Sequence, residues 1–378
     1  LLVPVELPGR TIYIQVWKAR VGRVCIYLLD ADIPRNTPED RGLTGSLYGG
    51  DRECRISQEI ILGIGGVKAL RAMGINPRAW HINEGHPAFL VIQRIRELVR
   101  KGVSLETARE VVRSSTIFTT HTPVPAGHDL FSEKMIEVFF AKIAAELGLD
   151  LSGFLELAWD AERESFNLTL LALNHSYLTN GVSWLHGKVA RDMFRARYNR
   201  LHPEEIPITS ITNGVHTGSW LAGELRELYA RYLGKGFLDQ VNQRQIWEKI
   251  DNIPDEELWR VHRSLKEKMI DFVRASLKKQ RRRNYELTSR ILEVDEYLNP
   301  EVLTIGFARR FATYKRATLL FRDRERLSRL VNDPQRPVRF IFAGKAHPAD
   351  LAGQELIKQI YDFSNEPDLR GKVLLLED

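Results

Sequence analysis

The chain has 378 residues, 43% of them hydrophobic and 28% charged, with a formal net charge of +6. This composition is ordinary for a globular protein of more than one domain, and it excludes a disordered chain and a basic arm that binds nucleic acid. No apolar run approaches the roughly 20 residues of a membrane span, so no membrane partner is predicted.

In chain order, the first part of the sequence predicts strands that alternate with helices. The predicted strands cover 24–29, 79–83, 115–120 and 206–212, and the predicted helices cover 55–73, 86–101, a segment from about Ser132, 165–178 and 182–197. Within the first helix, Gly63-Ile64-Gly65-Gly66 lacks the strand and the third glycine of a dinucleotide-binding loop. We interpret these glycines as a close contact between helices.

The last part of the sequence predicts a long charged helix at 255–283, followed by strand, helix, strand, helix and strand. The predicted strands are a buried parallel strand at 302–307, a second ending before Gly344, and a third at 373–376. This order is typical of half of a doubly wound α/β domain. The fold class is therefore α/β with two lobes and a cleft between them, divided at 1–180 and 181–378.

The two ends of the chain predict a fragment. The sequence begins at Leu1 without a methionine and stops directly after the apolar run at 373–376. We therefore expect the second lobe to be incomplete and its last strand to expose an apolar face.

The most informative segment places four cations after the strand at 302–307, and they are Arg309, Arg310, Lys315 and Arg316. Open α/β sheets bind ligands at the carboxyl ends of their strands, and a helix start adds free N–H groups that favour an anion. The spacing of Leu320, Leu327 and Val331 predicts such a helix after the cations. The alternative is a solvated basic turn.

Other polar residues also follow predicted strands. His121 ends the strand at 115–120, where it is either a functional group or a satisfied buried histidine. Asn180-Gly181 predicts the C-cap of a helix that aims the amide into the cleft. The pairs His81 with His86 and His121 with His128 lack the spacing and the carboxylates of a zinc site, so no metal is predicted.

The cysteine content indicates a reducing compartment. Cys25 and Cys54 form no Cys-x-x-Cys pair, and two thiols in so long a chain make no disulfide framework. We therefore predict a cytoplasmic protein.

Seven sequence blocks together carry a family resemblance. They lie at 47–51, 55–59, 81–87, 119–128, 180–186, 212–220 and 307–316, and Gly344-Lys345-Ala346-His347-Pro348 follows them. In this order the blocks resemble the α-glucan phosphorylases of the shorter bacterial and archaeal type. The resemblance covers most of the chain and implies a GT-B fold with two Rossmann-like domains.

The resemblance implies phosphorolysis of α-1,4-glucans such as glycogen or maltodextrin, which gives glucose 1-phosphate from orthophosphate. It also implies pyridoxal 5′-phosphate as cofactor, no nucleic-acid partner, and a homodimer, since the family is usually dimeric. By match to the family motif, Arg310 and Lys315 bind the substrate phosphate, while Arg309 and Tyr314 lie beside the cofactor phosphate or line the same pocket. Lys345 either helps to bind phosphate or caps the strand end.

The same resemblance assigns the sugar contacts. His121 matches the family histidine at the glucosyl unit, and Asn180 matches the residue that binds the glucose ring. Glu84 and His86 match the acceptor-side loop, with Asp51 on the same rim; most of the family has aspartate at the position of Glu84. These residues are the expected substrate-binding set of the first lobe.

Two expected parts of the family are absent from the sequence. The lysine that forms the Schiff base belongs after Asp378, and a glycine-rich phosphate loop belongs before Leu1. We therefore expect the intact gene product to be a phosphorylase and these 378 residues alone to be inactive. Two alternatives stay open: a nucleotide-sugar glucosyltransferase of GT-B fold, and a non-catalytic glucan-binding protein.

Overall fold

The computed structural model describes residues 1–46, 50–122, 128–346 and 350–377. The chain divides into two compact units, Leu1–Gly214 and Val215–Asp378. This division differs from the predicted boundary between 180 and 181. The reason is strand pairing, because Ile208–Ser210 continues in parallel beside Leu178–Gly181 and belongs to the same sheet.

The first unit opens with an antiparallel sheet, β1 (Leu2–Leu7), β2 (Arg10–Val21) and β3 (Val24–Asp30). The short helix α1 (Pro38–Arg41) and a 3₁₀ turn follow. One continuous helical segment then comprises α2 (Arg52–Ile60), a π-helical turn (Ile61–Gly65) and α3 (Gly66–Ala72). The helix predicted at 55–73 is confirmed, whereas β1 and β2 were not predicted.

The remaining elements of the first unit surround a parallel sheet. In chain order they are β4 (Trp80–Asn83), α4 (Phe89–Val99), α5 (Leu105–Ser114), β5 (Thr116–Thr120), β6 (Leu130–Phe131), α6 (Glu133–Glu146), α7 (Leu151–Leu155), β7 (Trp159–Asp160), β8 (Ser165–Asn167), α8 (Leu168–Asn174), β9 (Leu178–Gly181), α9 (Trp184–Met193) and β10 (Ile208–Ser210). The parallel sheet has the order β10-β9-β5-β4, and β6-β8-β7 form a small antiparallel sheet.

The prediction of one helix at 165–178 is wrong, because this segment contains β8, α8 and the start of β9. Asn167 ends β8 and caps α8, since its Oδ1 accepts from the backbone N–H of Thr169 at 2.9 Å. The helical periodicity of this segment corresponds to α8 alone. The strand β9 is stabilised by partners on both sides, which local periodicity cannot reveal.

Aromatic packing holds helices α4, α6 and α7 of the first unit against one another. The ring centroids of Phe89 and Phe140 lie 4.5 Å apart, and those of Phe140 and Phe154 lie 5.3 Å apart. Gly63 allows the π-helical turn to approach α4, because a Cβ there would lie 2.8 Å from the backbone nitrogen of Leu90. The predicted close helix contact at these glycines is therefore confirmed.

The second unit contains one parallel sheet, β11-β12-β13, and a long helix. Its elements are α10 (Thr217–Trp220), α11 (Gly223–Leu233), α12 (Arg244–Trp247), α13 (Asp255–Arg283), α14 (Thr288–Leu292), β11 (Leu303–Ala308), α15 (Arg324–Val331), β12 (Val338–Ala343), α16 (Leu351–Ser364) and β13 (Val373–Leu376). Short 3₁₀ segments join several of them. Within the described residues, no helix is long and apolar enough to cross a membrane.

The expected exposure of the last strand is wrong. Val373 and Leu375 are buried against α16 and β12, and Leu374 is buried against α13, so helices cover both faces of β13. The exposed strand is β11 instead, where Leu303 is 60% and Ile305 is 45% accessible. In the described part of the chain, β11 pairs on one side only, with β12.

His175, at the end of α8, predicts acid sensitivity of the first unit. Its side chain is buried, its Nδ1 donates to the carbonyl of Leu171 at 3.0 Å, and burial lowers its pKa to about 4. The unfolded chain binds this proton near pH 6.5, so stability is full above that pH and is lost as pH falls towards 4. We expect a loss on the order of 2 kcal/mol between pH 7.5 and 4.5.

The measurement is urea unfolding at both pH values, compared with His175→Asn, whose amide can still donate to Leu171. The variant should lose less stability on acidification than the natural chain. Equal losses in both proteins would show that His175 is not the titrating group.

Candidate functional site

The first unit collects polar side chains at the carboxyl edge of its parallel sheet. Asn83, Thr119 and Asn180 occupy the same register position on β4, β5 and β9. Glu84 and His121 follow directly where two of these strands end. Parallel strands end at one edge, so residues far apart in sequence meet there.

Glu84 links the ends of β4 and β5. Its backbone N–H donates to the carbonyl of Thr119 at 2.9 Å, and its Oε2 accepts from the N–H of His121 at 2.7 Å. The hydroxyl of Thr122 donates to the same oxygen at 2.9 Å. Glu84 is only 8% accessible and has a positive φ of 63°, a strained conformation for a residue with a side chain. This carboxylate therefore fixes the backbone of His121 and the hydroxyl of Thr122.

His121 is exposed, with a fixed ring orientation. Its Nε2 lies 2.8 Å from Oδ1 of Asn83, an atom that only accepts, so Nε2 donates. In the neutral ring, Nδ1 is then an acceptor. The expectation of a buried, fully satisfied histidine does not describe this residue. The following segment of the predicted block, 123–127, lies outside the described residues.

Asn180 lies in β9, so its prediction as a helix C-cap is wrong. Its Oδ1 accepts from the hydroxyl of Thr119 at 2.9 Å, and its Nδ2 donates to the carbonyl of Gly181 at 3.1 Å. Because Thr119 has given its only proton, Nε2 of His81 must donate to that hydroxyl at 2.7 Å. Sequence reasoning missed Asn83 and Thr119, although both stand at or next to the ends of predicted strands.

A cluster of four charged groups lies beside this edge, and we call it the Arg55 cluster: Arg55, Glu59, His86 and Asp129. Nη2 of Arg55 is 2.9 Å from Oδ2 of Asp129 and 3.0 Å from Oε1 of Glu59. Nδ1 of His86 lies 3.0 Å from Oδ2 of Asp129 and 2.7 Å from Nη2 of Arg55. Helix α2 brings Arg55 and Glu59 to one face through their i,i+4 spacing.

The Arg55 cluster shifts the pKa of each acid and of the histidine. Hydrogen bonds to Asp129 and Glu59 raise the pKa of His86 to about 9. Burial raises the pKa of Glu59 to about 8, so this carboxyl is largely protonated at neutral pH. Burial also opposes ionisation of Asp129, but hydrogen bonds from His86 and Arg55 hold its pKa well below the usual range. At neutral pH the cluster therefore carries a net positive charge.

Possible ligand atoms of Glu59, His86 and Asp129 lie within 4.8 Å of one another, close enough for a metal ion. Arg55 is already there, however, with one nitrogen within 3.0 Å of each of the three groups. The guanidinium already occupies the position of a cation between the two acids, so these contacts describe an ion-pair network.

Asp51 has a structural contact in the described residues. It is the N-cap of α2, and its Oδ1 accepts from the N–H of Cys54 at 2.9 Å. Its predicted neighbours Leu47, Tyr48 and Gly49 lie outside the described residues. The expected acceptor-side role of Asp51 stays a prediction.

In the second unit, the basic residues form a loop between β11 and α15. The loop is hydrogen-bonded to the end of β12 and to the segment after it. The N–H of Arg309 donates to the carbonyl of Ala343 at 3.1 Å, and that of Phe311 donates to the carbonyl of Lys345 at 2.9 Å. Gly344 makes this approach possible, because a Cβ there would lie 2.2 Å from the carbonyl oxygen of Arg309. Phe311 is fully buried and anchors the loop.

The α-helix expected directly after the cations begins later, at Arg324. Two 3₁₀ segments, Thr313–Lys315 and Ala317–Arg322, stand in between, and Arg316 joins them with a φ of 53°. An anion at this loop would therefore meet side chains rather than the start of a long α-helix. His347 and Pro348 of the predicted block lie outside the described residues.

The basic loop has unbalanced positive charge. Arg309 and Arg310 are exposed, and within the described part of the chain no carboxylate pairs with either of them or with Lys315. Desolvation and the charges of Arg309 and Arg310 lower the pKa of Lys315. Tyr314 is 46% accessible, and the ammonium of Lys315 lies 5.7 Å from its ring. Such a loop favours a multiply charged anion, which relieves the repulsion among its cations.

The two units thus offer different chemistry. The sheet edge of the first unit presents an amide, an imidazole and hydroxyls, groups that both donate to and accept from sugar hydroxyls. The loop of the second unit presents guanidinium and ammonium groups that suit phosphate.

The chain is similar to known proteins over its whole length. The family model of carbohydrate phosphorylases matches residues 75–368. The chain is 44% identical to maltodextrin phosphorylase of Thermococcus litoralis, over 100% of this chain and 44% of that protein. It is 38% identical to glycogen phosphorylase of Aquifex aeolicus, over 97% of this chain and 53% of that protein. The chain spans about half the length of these curated relatives.

Substituting Glu84 tests its part in shaping the sheet edge. Glu84→Gln keeps the shape of the side chain but removes the charge that strengthens the bonds from His121 and Thr122. We expect the free energy of unfolding to fall by about 1–3 kcal/mol, measured by urea denaturation. The control is Glu164→Gln, an exposed glutamate that also has a positive φ, of 46°. If both substitutions lower the free energy of unfolding by the same amount, Glu84 has no special structural role.

Proposed function

Because the chain belongs to the carbohydrate phosphorylase family, we propose that the complete protein is an α-glucan phosphorylase that releases glucose 1-phosphate from maltodextrin or glycogen. Orthophosphate forms the new bond to the anomeric carbon, the α-1,4 bond to the rest of the glucan breaks, and the proton of orthophosphate passes to the leaving oxygen. The observation that carries the proposal is the basic loop, whose cations lack carboxylate partners in the described residues.

Arg310 and Lys315 are the proposed ligands of the substrate phosphate. Arginine binds phosphate oxygens with a planar fork, and lysine adds a point charge. Both side chains stand on a loop whose path is fixed by Phe311 and Gly344, so the charges need little reorganisation when phosphate binds. Lys345 lies on the neighbouring segment and is proposed as a further phosphate contact.

Pyridoxal 5′-phosphate is the proposed cofactor of the complete protein. In the family its phosphate group supplies proton exchange with the substrate phosphate. Arg309 and Tyr314 are the residues of this chain proposed to hold it. Exposure of both side chains and the unbalanced charge of the loop support a second phosphate group near the first. Without these cations, two phosphates side by side would repel each other strongly.

The glucan is proposed to bind at the sheet edge of the first unit. His121 offers its ring to a hydroxyl of the reacting glucosyl unit, and Asn180 contributes an amide to the same sugar. Hydrogen bonds to sugar hydroxyls that strengthen in the transition state raise the rate of the chemical step. Glu84, His86 and Asp51 are proposed for the acceptor side, with Glu84 acting through its bonds to His121 and Thr122.

Three further features of the complete protein are proposals. The first unit is the glucan-binding lobe and the second is part of the phosphate and cofactor lobe of a two-lobed GT-B enzyme. The protein is a cytoplasmic homodimer. Among the described residues Cys25 and Cys54 are free thiols, which supports a reducing compartment.

The activity itself is tested on the complete protein with maltoheptaose and orthophosphate, by measuring glucose 1-phosphate. We expect phosphate-dependent product and no dependence on a sugar nucleotide. Turnover that needs a nucleotide sugar would favour a glucosyltransferase, and maltodextrin binding without turnover would favour a glucan-binding protein. Either result would contradict the proposal.

The role of the basic loop is tested by Arg310→Ala. Loss of one charged phosphate donor should lower kcat/KM for orthophosphate by about 100- to 1,000-fold, because such a donor stabilises the charge that develops in the transition state. The matched control is Arg336→Ala, an exposed arginine of the same unit, which should stay within about twofold. Similar losses in both variants would mean that Arg310 does not contact phosphate.

A further inference from the structure

The turn that carries Glu84 is held on two sides by residues outside the predicted site. From this arrangement we propose that Arg55 and Asp129 are positioning residues for the glucan side of the reaction, an inference that rests on the proposed function. They fix His86, and His86 fixes the turn from Glu84 to His86. Glu84 in turn fixes the start of the loop at His121.

Direct contacts connect each step. Arg55 is bidentate to Asp129, with Nε to Oδ1 at 3.2 Å and Nη2 to Oδ2 at 2.9 Å. Oδ2 of Asp129 also lies 3.0 Å from Nδ1 of His86. Two residues earlier in the chain, the carboxylate of Glu84 accepts from the N–H of His121 at 2.7 Å. Helix α2 is thereby linked to His121 through groups that are all partly or fully buried.

The opposite side of the turn rests on α8. A Cβ on Gly85 would lie 3.1 Å from Oγ1 of Thr169, so the turn packs closely there. That hydroxyl also pairs with Nδ1 of His128 at 2.7 Å. His128 and Asp129 are consecutive in the chain, so this dipeptide joins the contact at Thr169 to the contact at His86. A shift of either residue would displace Glu84 and His86 together.

Electrostatic attraction stabilises the contact between His86 and Asp129 at neutral pH. Among the described residues, the titratable groups that face His86 include Arg55 and Glu59 of α2 and Asp129 before β6. Asp129 is the fully ionised acid among them, since Glu59 is largely protonated. Hydrogen bonds to Asp129 and Glu59 raise the pKa of His86, which favours the protonated ring bonded to Asp129. All of these groups lie in the first unit, so they should affect glucan binding and not the phosphate contacts of the second unit.

Asp129→Asn in the complete protein is the test. Asparagine keeps the size and one acceptor but removes the charge that holds His86. We expect KM for maltopentaose to rise about tenfold, KM for orthophosphate to change less than about twofold, and the pKa of His86 to fall by about 1–3. The pKa is followed by NMR of labelled histidine, which needs no turnover. KM for maltopentaose should then depend on pH between 6 and 8, unlike that of the natural protein.

Two further variants separate positioning from charge and from general damage. Arg55→Lys keeps the positive charge but loses the fork, so it should raise KM for maltopentaose while the pKa of His86 stays high. Asp32→Asn is the matched control, because Asp32 pairs with Arg41 at an exposed site of the same unit. Its KM values should equal those of the natural protein.

The inference is overturned if Asp129→Asn raises both KM values equally, or if its KM for maltopentaose matches that of Asp32→Asn. Failure of the proposed function gives a different result. If the natural protein binds maltopentaose without turnover, calorimetry replaces KM, and a tenfold weaker affinity in Asp129→Asn still supports the positioning role.

Discussion

Parallel pairing of β4, β5 and β9 is the constraint on which the site of the first unit depends. It brings Asn83, Thr119 and Asn180 into one row although almost 100 residues separate the first from the last. Backbone hydrogen bonds set this register, and a slip of one residue would turn each side chain to the other face. The polar bonds among these side chains exist only because the strands end together.

Buried charged groups are a second constraint on the structure of the first unit. Arg55 lies among two acids and a histidine, and the cost of burying its charge is offset only while those partners stay in place. The same need for partners connects α2 to the turn after β4 and to the segment before β6. A network of this kind favours one arrangement of the chain segments that carry it, because removing any member breaks hydrogen bonds that the other buried groups make.

In the second unit, close backbone packing holds the basic loop in one arrangement. Its basic loop carries mutually repelling cations and is built from short 3₁₀ segments rather than a regular α-helix. Phe311 buries its ring in the core, and Gly344 lets two chain segments approach closely enough for hydrogen bonds between them. Repulsion among the cations is therefore maintained in the folded state, where a bound anion would relieve it.

The sequence by itself determined the α/β class, the helix at 255–283, the strand at 373–376 and the family, because periodicity and ordered motifs are local signals. It also pointed to His121, Arg310 and Lys315 at strand ends. Only the tertiary structure decided that Asn180 lies in a strand, that Glu84 bonds the backbone of His121, and that Asp129 and Arg55 hold His86. Those facts depend on contacts between residues distant in sequence, which no local pattern records.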